Sequence, residues 1–314
     1  MIRYLLVSPT RNEAEYAERT LESVVSQTIL PSEWVIVDDG SDDGTAELLA
    51  RYAAEHDFIR VITRKDRGRR SVGPGVVEAF DVGYREALIQ DPEFLCKLDM
   101  DLELPPRYFE RLAERMRQNP RLGSASGKPY AEMPDGELVD EGIGDDTSAG
   151  MTKFYRKRCF DQIGGLVREV MWDGIDCHRA RMHGWMAESF DEPELRFKHL
   201  RPMGSSQGSL FSGRMRHGYG QWFMGTGLVY MTASALFRAT RRPLLVGGFA
   251  MWLGYLASML RGKPRYEDRE FRTFLRSYHR SVLLHGKQRT MRRLEEQFAD
   301  RWTGSHAPQH TPTA

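Results

Sequence analysis

Short apolar runs alternate with segments of helical spacing through the first hundred residues. Leu5-Leu6-Val7 predicts a strand, and after it Asn12 is placed to cap a helix, with Glu15 three positions on and an inner stripe of Leu21, Val24 and Val25. Trp34-Val35-Ile36-Val37 predicts a second strand, Leu48, Leu49 and Tyr52 the buried face of a second helix, and Phe58 to Ile62 a third strand. A glycine-bearing loop from Gly68 to Gly75 leads to a helix through Val77, Phe80, Tyr84 and Leu88, which delivers the chain to the strand Phe94-Leu95-Cys96-Lys97-Leu98. Such alternation is that of βαβ units, an α/β fold with a mostly parallel sheet and helices on both faces.

Beyond about residue 120 the alternation fades. Pro129, Pro134, Gly136, Gly142 and Gly144 suggest a loop-rich insertion that completes a pocket, followed by helices around Phe154 to Ile163 and Asp176 to His183. Two later stretches, Trp222 to Phe237 and Leu244 to Leu260, carry no charge and are flanked by Arg238, Arg241, Arg242, Arg261 and Lys263. They predict two apolar helices, each short of the ~20 residues a membrane span needs. Two readings stay open: a hairpin packed on its own domain or on a second copy of the chain in a homodimer, or helices lying in a membrane face. The expected organisation is a catalytic domain over 1–215, an apolar helical region over 216–302 and a disordered polar tail over 303–314.

Charge narrows the partners. Forty-five basic residues against 44 acidic leave a formal net charge of +1, so no global field favours nucleic acid. The three cysteines, Cys96, Cys159 and Cys177, lie far apart and form neither a disulfide framework nor a zinc spacing, which fits a reducing cytoplasm. Met1 to Val7 runs directly into a strand without the sections of a signal peptide.

The candidate chemistry is acidic. Asp38-Asp39 and Asp99-Met100-Asp101 both follow predicted parallel strands, and in an open α/β sheet ligands bind outside the carboxyl ends of the strands. Carboxylates one residue apart on an extended segment point to one side and can hold a hard divalent cation, which completes its shell with water and a diphosphate. The turn-forming habit of Asp, Gly and Ser is the structural alternative for Asp38-Asp39-Gly40-Ser41.

Ser8-Pro9-Thr10-Arg11-Asn12-Glu13, Val37-Asp38-Asp39-Gly40-Ser41-Asp42-Asp43-Gly44-Thr45 and Lys97-Leu98-Asp99-Met100-Asp101, in this order and spacing, resemble the family 2 glycosyltransferases of the GT-A fold. That resemblance, over roughly residues 3 to 200, implies a Rossmann-like GT-A domain that binds a nucleotide-sugar donor with Mn²⁺ or Mg²⁺. By the same resemblance Pro9, Arg11 and Glu13 line the nucleotide pocket and Asp39, or Asp38, accepts a hydrogen bond from the base with Arg64 nearby. Asp101 is the main metal contact and Asp99 reaches the ribose or the metal. The base that removes the acceptor proton comes from an Asp at the start of a helix. Gapless matching through Arg179 and Gly184 puts it at Asp173, with Trp172 where relatives keep Glu, and leaves Asp176, one turn on, as competitor. His199 falls where some relatives keep a metal or phosphate ligand. Of the chain-binding Gln-x-x-Arg-Trp signature of polymerising members only Gln221-Trp222 is present, which weakens a processive synthase. The basic run from Arg64 to Arg70 is open to two readings, a phosphate clamp or a solvated loop.

Other classes lack their signatures. Ser8 to Glu13 contains no glycine for a dinucleotide-binding turn, and no G-x-x-x-x-G-K-[ST] occurs. A nucleotidyltransferase would open with a glycine- and lysine-rich loop. The expectation is therefore an inverting, metal-dependent glycosyltransferase, with a UDP-linked donor and a glycan or lipid-linked acceptor, cytoplasmic or peripheral on the inner face of the membrane. The alternative is an inactive scaffold of the same fold that binds nucleotide sugar or glycolipid.

Overall fold

The computed structural model describes residues 2–65, 68, 73–133, 135–201, 210–240 and 246–302. Arg67, Arg69 and Arg70 of the basic run and the tail from Thr303 lie outside the described residues. Ten strands form one sheet whose first half is parallel, in the order β3 (Ile59–Thr63), β2 (Glu33–Asp38), β1 (Tyr4–Thr10), β4 (Phe94–Leu98). Beyond β4 the pairing is mixed: β8 (Thr152–Arg156) runs antiparallel to β4, then come β6 (Leu122–Glu132), β10 (Arg196–His199) and the two-residue β5 (Leu102–Glu103). The strands β7 (Leu138–Asp140) and β9 (Met186–Phe190) also pair with β6.

Period-two alternation divides the core between two faces. Tyr4, Leu6, Trp34, Ile36 and Phe94 face α1 (Ala17–Val25), α2 (Thr45–Glu55) and α4 (Tyr108–Gln118) through Leu21, Val24, Leu49, Phe109 and Leu112. Leu5, Val7, Val35, Val37 and Leu95 face α3 (Pro74–Arg85), α5 (Lys157–Gln162) and α6 (Trp172–Met182). The α/β architecture with helices on both faces is thus as expected.

Several elements differ from the expectation. Asn12 does not cap α1; it takes a left-handed φ of 53° and its amide donates to Asp42 at 2.8 Å, while the carbonyl of Glu13 receives the amides of Tyr16 and Ala17. Leu88 lies beyond α3 and is exposed. The region after residue 120 is not an insertion of loops: β6 is the longest strand and joins the two halves of the sheet. Its middle is small and polar because neighbours press on it; a Cβ on Gly127 would stand 1.7 Å from the Leu195 carbonyl oxygen. Phe154 and Tyr155 belong to β8, not to a helix.

The uncharged stretch from Trp222 to Phe237 is broken. Gly225, at φ 92°, ends α7 (Leu210–Met224), and α8 (Leu228–Ala239) starts after Gly227. Together with α9 (Val246–Leu260), α10 (Arg269–His285) and α11 (Lys287–Gln297) they make a helical layer. Ile175 of α6 packs with Met224, Phe271, Leu275, Tyr278 and Met291, so these helices buttress α6. Among the described residues no helix is long and apolar enough to cross a membrane.

Glycine sets the spacing of this layer. A Cβ on Gly218 would lie 2.0 Å from the Met251 carbonyl oxygen, and one on Gly254 2.1 Å from that of Met215, so α7 and α9 touch backbone to backbone. Gly247, the second residue of α9, meets only an Arg214 side-chain atom at 3.8 Å. Gly254→Ala is expected to lose about 1–3 kcal/mol through overpacking. Gly247→Ala, with room and better helix propensity, should gain roughly 0.5–1 kcal/mol. Thermal denaturation of the two variants checks both signs.

Candidate functional site

The parallel strands β1, β2 and β4 end at one sheet edge, and their loops carry the acidic residues. Asp38 is buried and accepts from the Ser41 amide at 3.1 Å and the Ser41 hydroxyl at 2.5 Å, so its carboxylate holds the turn. Asp39 extends the ladder, its amide donating to the Thr10 carbonyl at 2.9 Å. Its carboxylate stands 3.1 Å from the Arg64 guanidinium, and Arg11 donates to its carbonyl at 2.5 Å. Pro9 sits in β1 opposite Val37, half-buried one residue before the edge. Glu13 is buried beneath, its amide donating to Thr45 Oγ1 at 2.9 Å.

The second acidic segment meets the last part of the sheet. Leu200 N donates to the Asp101 carbonyl at 2.9 Å, which draws the end of β10 against it. His199 Nε2 then faces Asp101 Oδ2 at 3.8 Å, while its Nδ1 donates to Glu141 at 2.7 Å. The same Asp101 Oδ2 accepts from Arg201 Nη2 at 2.6 Å and Nε at 3.1 Å, and Arg201 Nη2 also donates to Glu13 at 2.9 Å. Burial opposes charge on both Asp101 and His199, but their mutual attraction outweighs it. With Arg201 it holds the Asp101 carboxyl down at about 2, and with Glu141 it lifts the His199 imidazole to about 9.

Asp173 approaches from the opposite face. It lies in the first turn of α6, half-buried, and a Cβ on Gly150 would stand 2.7 Å from its Oδ2. Lys97 Nζ donates to the carbonyl of that same Gly150 at 3.0 Å and to the carboxylate of Asp99. Gly150 therefore touches Asp173 directly and is linked to Asp99 through Lys97.

Asp176 is placed otherwise. It is buried, bonded to Lys153 Nζ at 2.6 Å and to the Tyr155 hydroxyl, and Lys153 also donates to the Asp173 carbonyl at 2.6 Å. Burial opposes a charge on Lys153, but Asp176, Cys177 and Asp173 outweigh it and hold the ammonium above its usual range. Lys97 and Lys153 are cross-strand partners on β4 and β8, and the Trp172 ring lies 5.3 and 5.6 Å from their ammonium groups. Trp172 thus covers two cations where relatives were expected to carry Glu.

The sequence itself matches a known family. The model of "Glycosyl transferase family 2" fits residues 6–167, just over half of the 314. The chain belongs to glycosyl transferase family 2. A poly-beta-1,6-N-acetyl-D-glucosamine synthase of Staphylococcus epidermidis is 31% identical over 118 residues, which cover 38% of this family 2 chain and only 26% of that protein. Among solved structures, S. aureus TarS 1-349 in complex with UDP-GlcNAc superposes with a TM-score of 0.53 at 15% identity, covering 95% of this chain and 92% of the other. Mannosyltransferase PcManGT from Pyrobaculum calidifontis, in complex with GDP-Man and Mn2+, gives 0.50 at 17% identity, over 95% and 85%. At such identities the likeness is one of fold, and the fold is that of the GT-A glycosyltransferases.

Among the described residues no three His, Cys, Asp or Glu side chains converge into a ready cation cage. A nucleotide-bound Mg²⁺ or Mn²⁺ needs only one or two protein ligands, since phosphates and water supply the rest. The donor set of this family 2 chain fits that demand in kind. Asp101 offers carboxylate oxygen, and His199 has the carboxylate behind it that orients a metal-binding imidazole. Asp99 stands on the same segment, drawn toward Lys97.

Lys97, Gly150, Glu141 and Arg201 had no assigned role at the level of sequence. Arg201 alone left a trace: it follows His199 by two positions, a spacing that puts both side chains on one side of an extended segment.

The Lys153–Asp176 pair yields a direct test. Lys153→Met strands a buried carboxylate and is expected to cost about 3–5 kcal/mol. Adding Asp176→Asn removes that charge while keeping a group for the Tyr155 hydroxyl, so the double variant should be the more stable of the two in urea denaturation. A double variant no better than Lys153→Met would mean the pair is not what holds α6.

Proposed function

We propose that this family 2 chain is an inverting glycosyltransferase that moves a sugar from a nucleotide diphosphate, UDP by preference, to a hydroxyl of a glycan or lipid-linked acceptor. The observation that supports it most is the close approach of Asp173 to Gly150, whose carbonyl is bound by the same Lys97 that holds Asp99, two residues before Asp101 at the sheet edge. Asp39, with Arg64 beside it, is placed to take the base, and Pro9, Arg11 and Glu13 line the same end of β1. Mn²⁺ or Mg²⁺ held by Asp101, with His199 and Asp99, would supply positive charge to the leaving diphosphate. Asp173 accepts the proton of the acceptor hydroxyl as its oxygen bonds to the anomeric carbon from the face opposite the breaking bond to the diphosphate, giving inversion. Asp176, enclosed by Lys153 and Tyr155, anchors the helix that aims Asp173. These intact carboxylates weigh against an inactive scaffold.

Donor and transfer are separable in the laboratory. With Mn²⁺ present, the right nucleotide sugar should raise the thermal midpoint by an amount that grows as RT ln(1 + [L]/Kd). Asp101→Ala is expected to abolish that rise. Asp173→Asn should keep it yet lose sugar transfer by about 10²-fold or more; transfer at the wild-type rate would remove Asp173 from the base role.

We further propose that α8 and α9 rest on an anionic lipid surface, at the inner face of the membrane where a lipid-linked acceptor is presented. Val229, Leu236 and Phe237 of α8 and Val246, Phe249 and Leu260 of α9 are more than half exposed. Arg238, Arg261 and Lys263 border them, exposed as well, which suits anionic headgroups. Phe237→Asp with Phe249→Asp should lower the partition coefficient onto phosphatidylserine vesicles, read by co-flotation, by about 10²-fold or more, roughly the apolar transfer term of two large side chains. Unchanged flotation, or a dimer that the substitutions dissolve, would transfer this face to a partner chain.

A further inference from the structure

Arg201 occupies an uncommon position for a cation. Its side chain is 17% exposed, and its two carboxylate partners, Glu13 and Asp101, are 5% and 8% exposed. One guanidinium therefore neutralises a carboxylate from the nucleotide end of β1 and one from the cation-binding segment. Both of its bonds to Asp101 go to Oδ2, the oxygen that faces His199 Nε2. A divalent ion taken up between Asp101 and His199 would have to claim that oxygen, against the repulsion of a guanidinium bonded to it.

The means of release are also present. The backbone at Leu200 is pinned to the Asp101 carbonyl at 2.9 Å, while the Arg201 side chain lies over the Tyr16 ring at 5.3 Å and is otherwise long and jointed. A guanidinium fork that lets go of two carboxylates finds equally good partners in two phosphate oxygens.

Resting on the nucleotide-sugar reading above, we propose that Arg201 is a resident counter-ion that fills in for the divalent cation. It holds Asp101 and Glu13 until metal and nucleotide arrive together, and then passes to the diphosphate. Metal alone must then work against Arg201, whereas metal with nucleotide gives the guanidinium somewhere to go. The two ligands bind cooperatively, and Arg201 carries the coupling, which is reciprocal for both. The bound-off state reduces the apparent metal affinity by the fraction of molecules in which Arg201 has released Asp101.

The experiment is an Mn²⁺ titration of the full chain followed by the electron paramagnetic resonance of free Mn²⁺, with no nucleotide, with UDP and with GDP. In the wild type one nucleotide should tighten Mn²⁺ binding about tenfold or more. Arg201→Met should bind Mn²⁺ alone about tenfold tighter than the wild type and lose most of the nucleotide effect. Arg201→Lys keeps a charge between the carboxylates and so guards against misfolding, checked by circular dichroism; lacking the fork, it too should show reduced coupling. Asp101→Asn should abolish tight Mn²⁺ binding in every background. Should the wild type bind Mn²⁺ with nucleotide while the Arg201 variants bind Mn²⁺ alone no better and keep the coupling, Arg201 is no stand-in, and the nucleotide-sugar reading survives. Absence of Mn²⁺ binding in wild type and variants, with either nucleotide, overturns the metal-dependent reading and this proposal with it.

Discussion

Carboxylates crowded at one sheet edge cannot be buried unless each meets a cation or hydrogen-bond donors, and that requirement organises the molecule. Most of the acidic side chains here are answered by a cation, while Asp38 is satisfied by the amide and hydroxyl of Ser41. Arg64, beyond β3, stands against Asp39; Lys97, inside β4, against Asp99; His199 and Arg201, at the end of β10, against Asp101; Lys153, inside β8, against Asp176. The charges thus tie together strands from the two halves of the sheet. Their worth lies less in net stability, which buried ion pairs rarely supply, than in the cost of any arrangement that would part them.

The most demanding part of this arrangement is the pair of buried lysines on neighbouring strands. Like charges directly across a sheet repel, and Lys97 and Lys153 are directly across. Three features make the pairing tolerable. Each ammonium has its own carboxylate, each also donates to a carbonyl, and the Trp172 ring lies near both. The carbonyls belong to Gly150 and Asp173, which are themselves in close approach. Asp173 therefore inherits its position from two cations it does not itself bind through its carboxylate. Met171, just before it, holds a left-handed φ of 69°, a conformation costly for a side chain of its size and of the kind found where function dictates the backbone.

Much of this was legible in the sequence, and what was not has physical causes. The parallel strands were readable because burial on both faces makes them continuous apolar runs, and the acidic segments at their ends follow from the fold rule alone. Helix α6 was placed late because its inward face includes Asp176 and Cys177 among apolar neighbours, so its apolar spacing is weak. Strand β6 was missed because close packing selected glycine and serine where a strand usually shows branched apolar residues. Hydropathy ran α7 and α8 together, since Gly225-Thr226-Gly227 is uncharged and the break is a matter of φ, not polarity. Arg201 could not be read at all as a partner of Glu13. The two are 188 positions apart, and it is the pairing of β10 with β6 and β5 that brings them to one edge.

The helical layer then bears on chemistry as well as on location. Its core residues close over Ile175, on the helix that carries Asp173 and Asp176, and Gly220 of α7 approaches Met171 so closely that a Cβ there would stand 2.3 Å from its Cγ. The strained turn before Asp173 is thus held from the outside by α7 and from the inside by Lys153. Since α7 is packed backbone to backbone on α9, and α9 on α8, the apolar surface of the hairpin is rigidly continuous with the turn that sets Asp173. Whatever covers that surface is mechanically coupled to Asp173, so a membrane bearing the proposed acceptor would be held against the same elements that aim the proposed base.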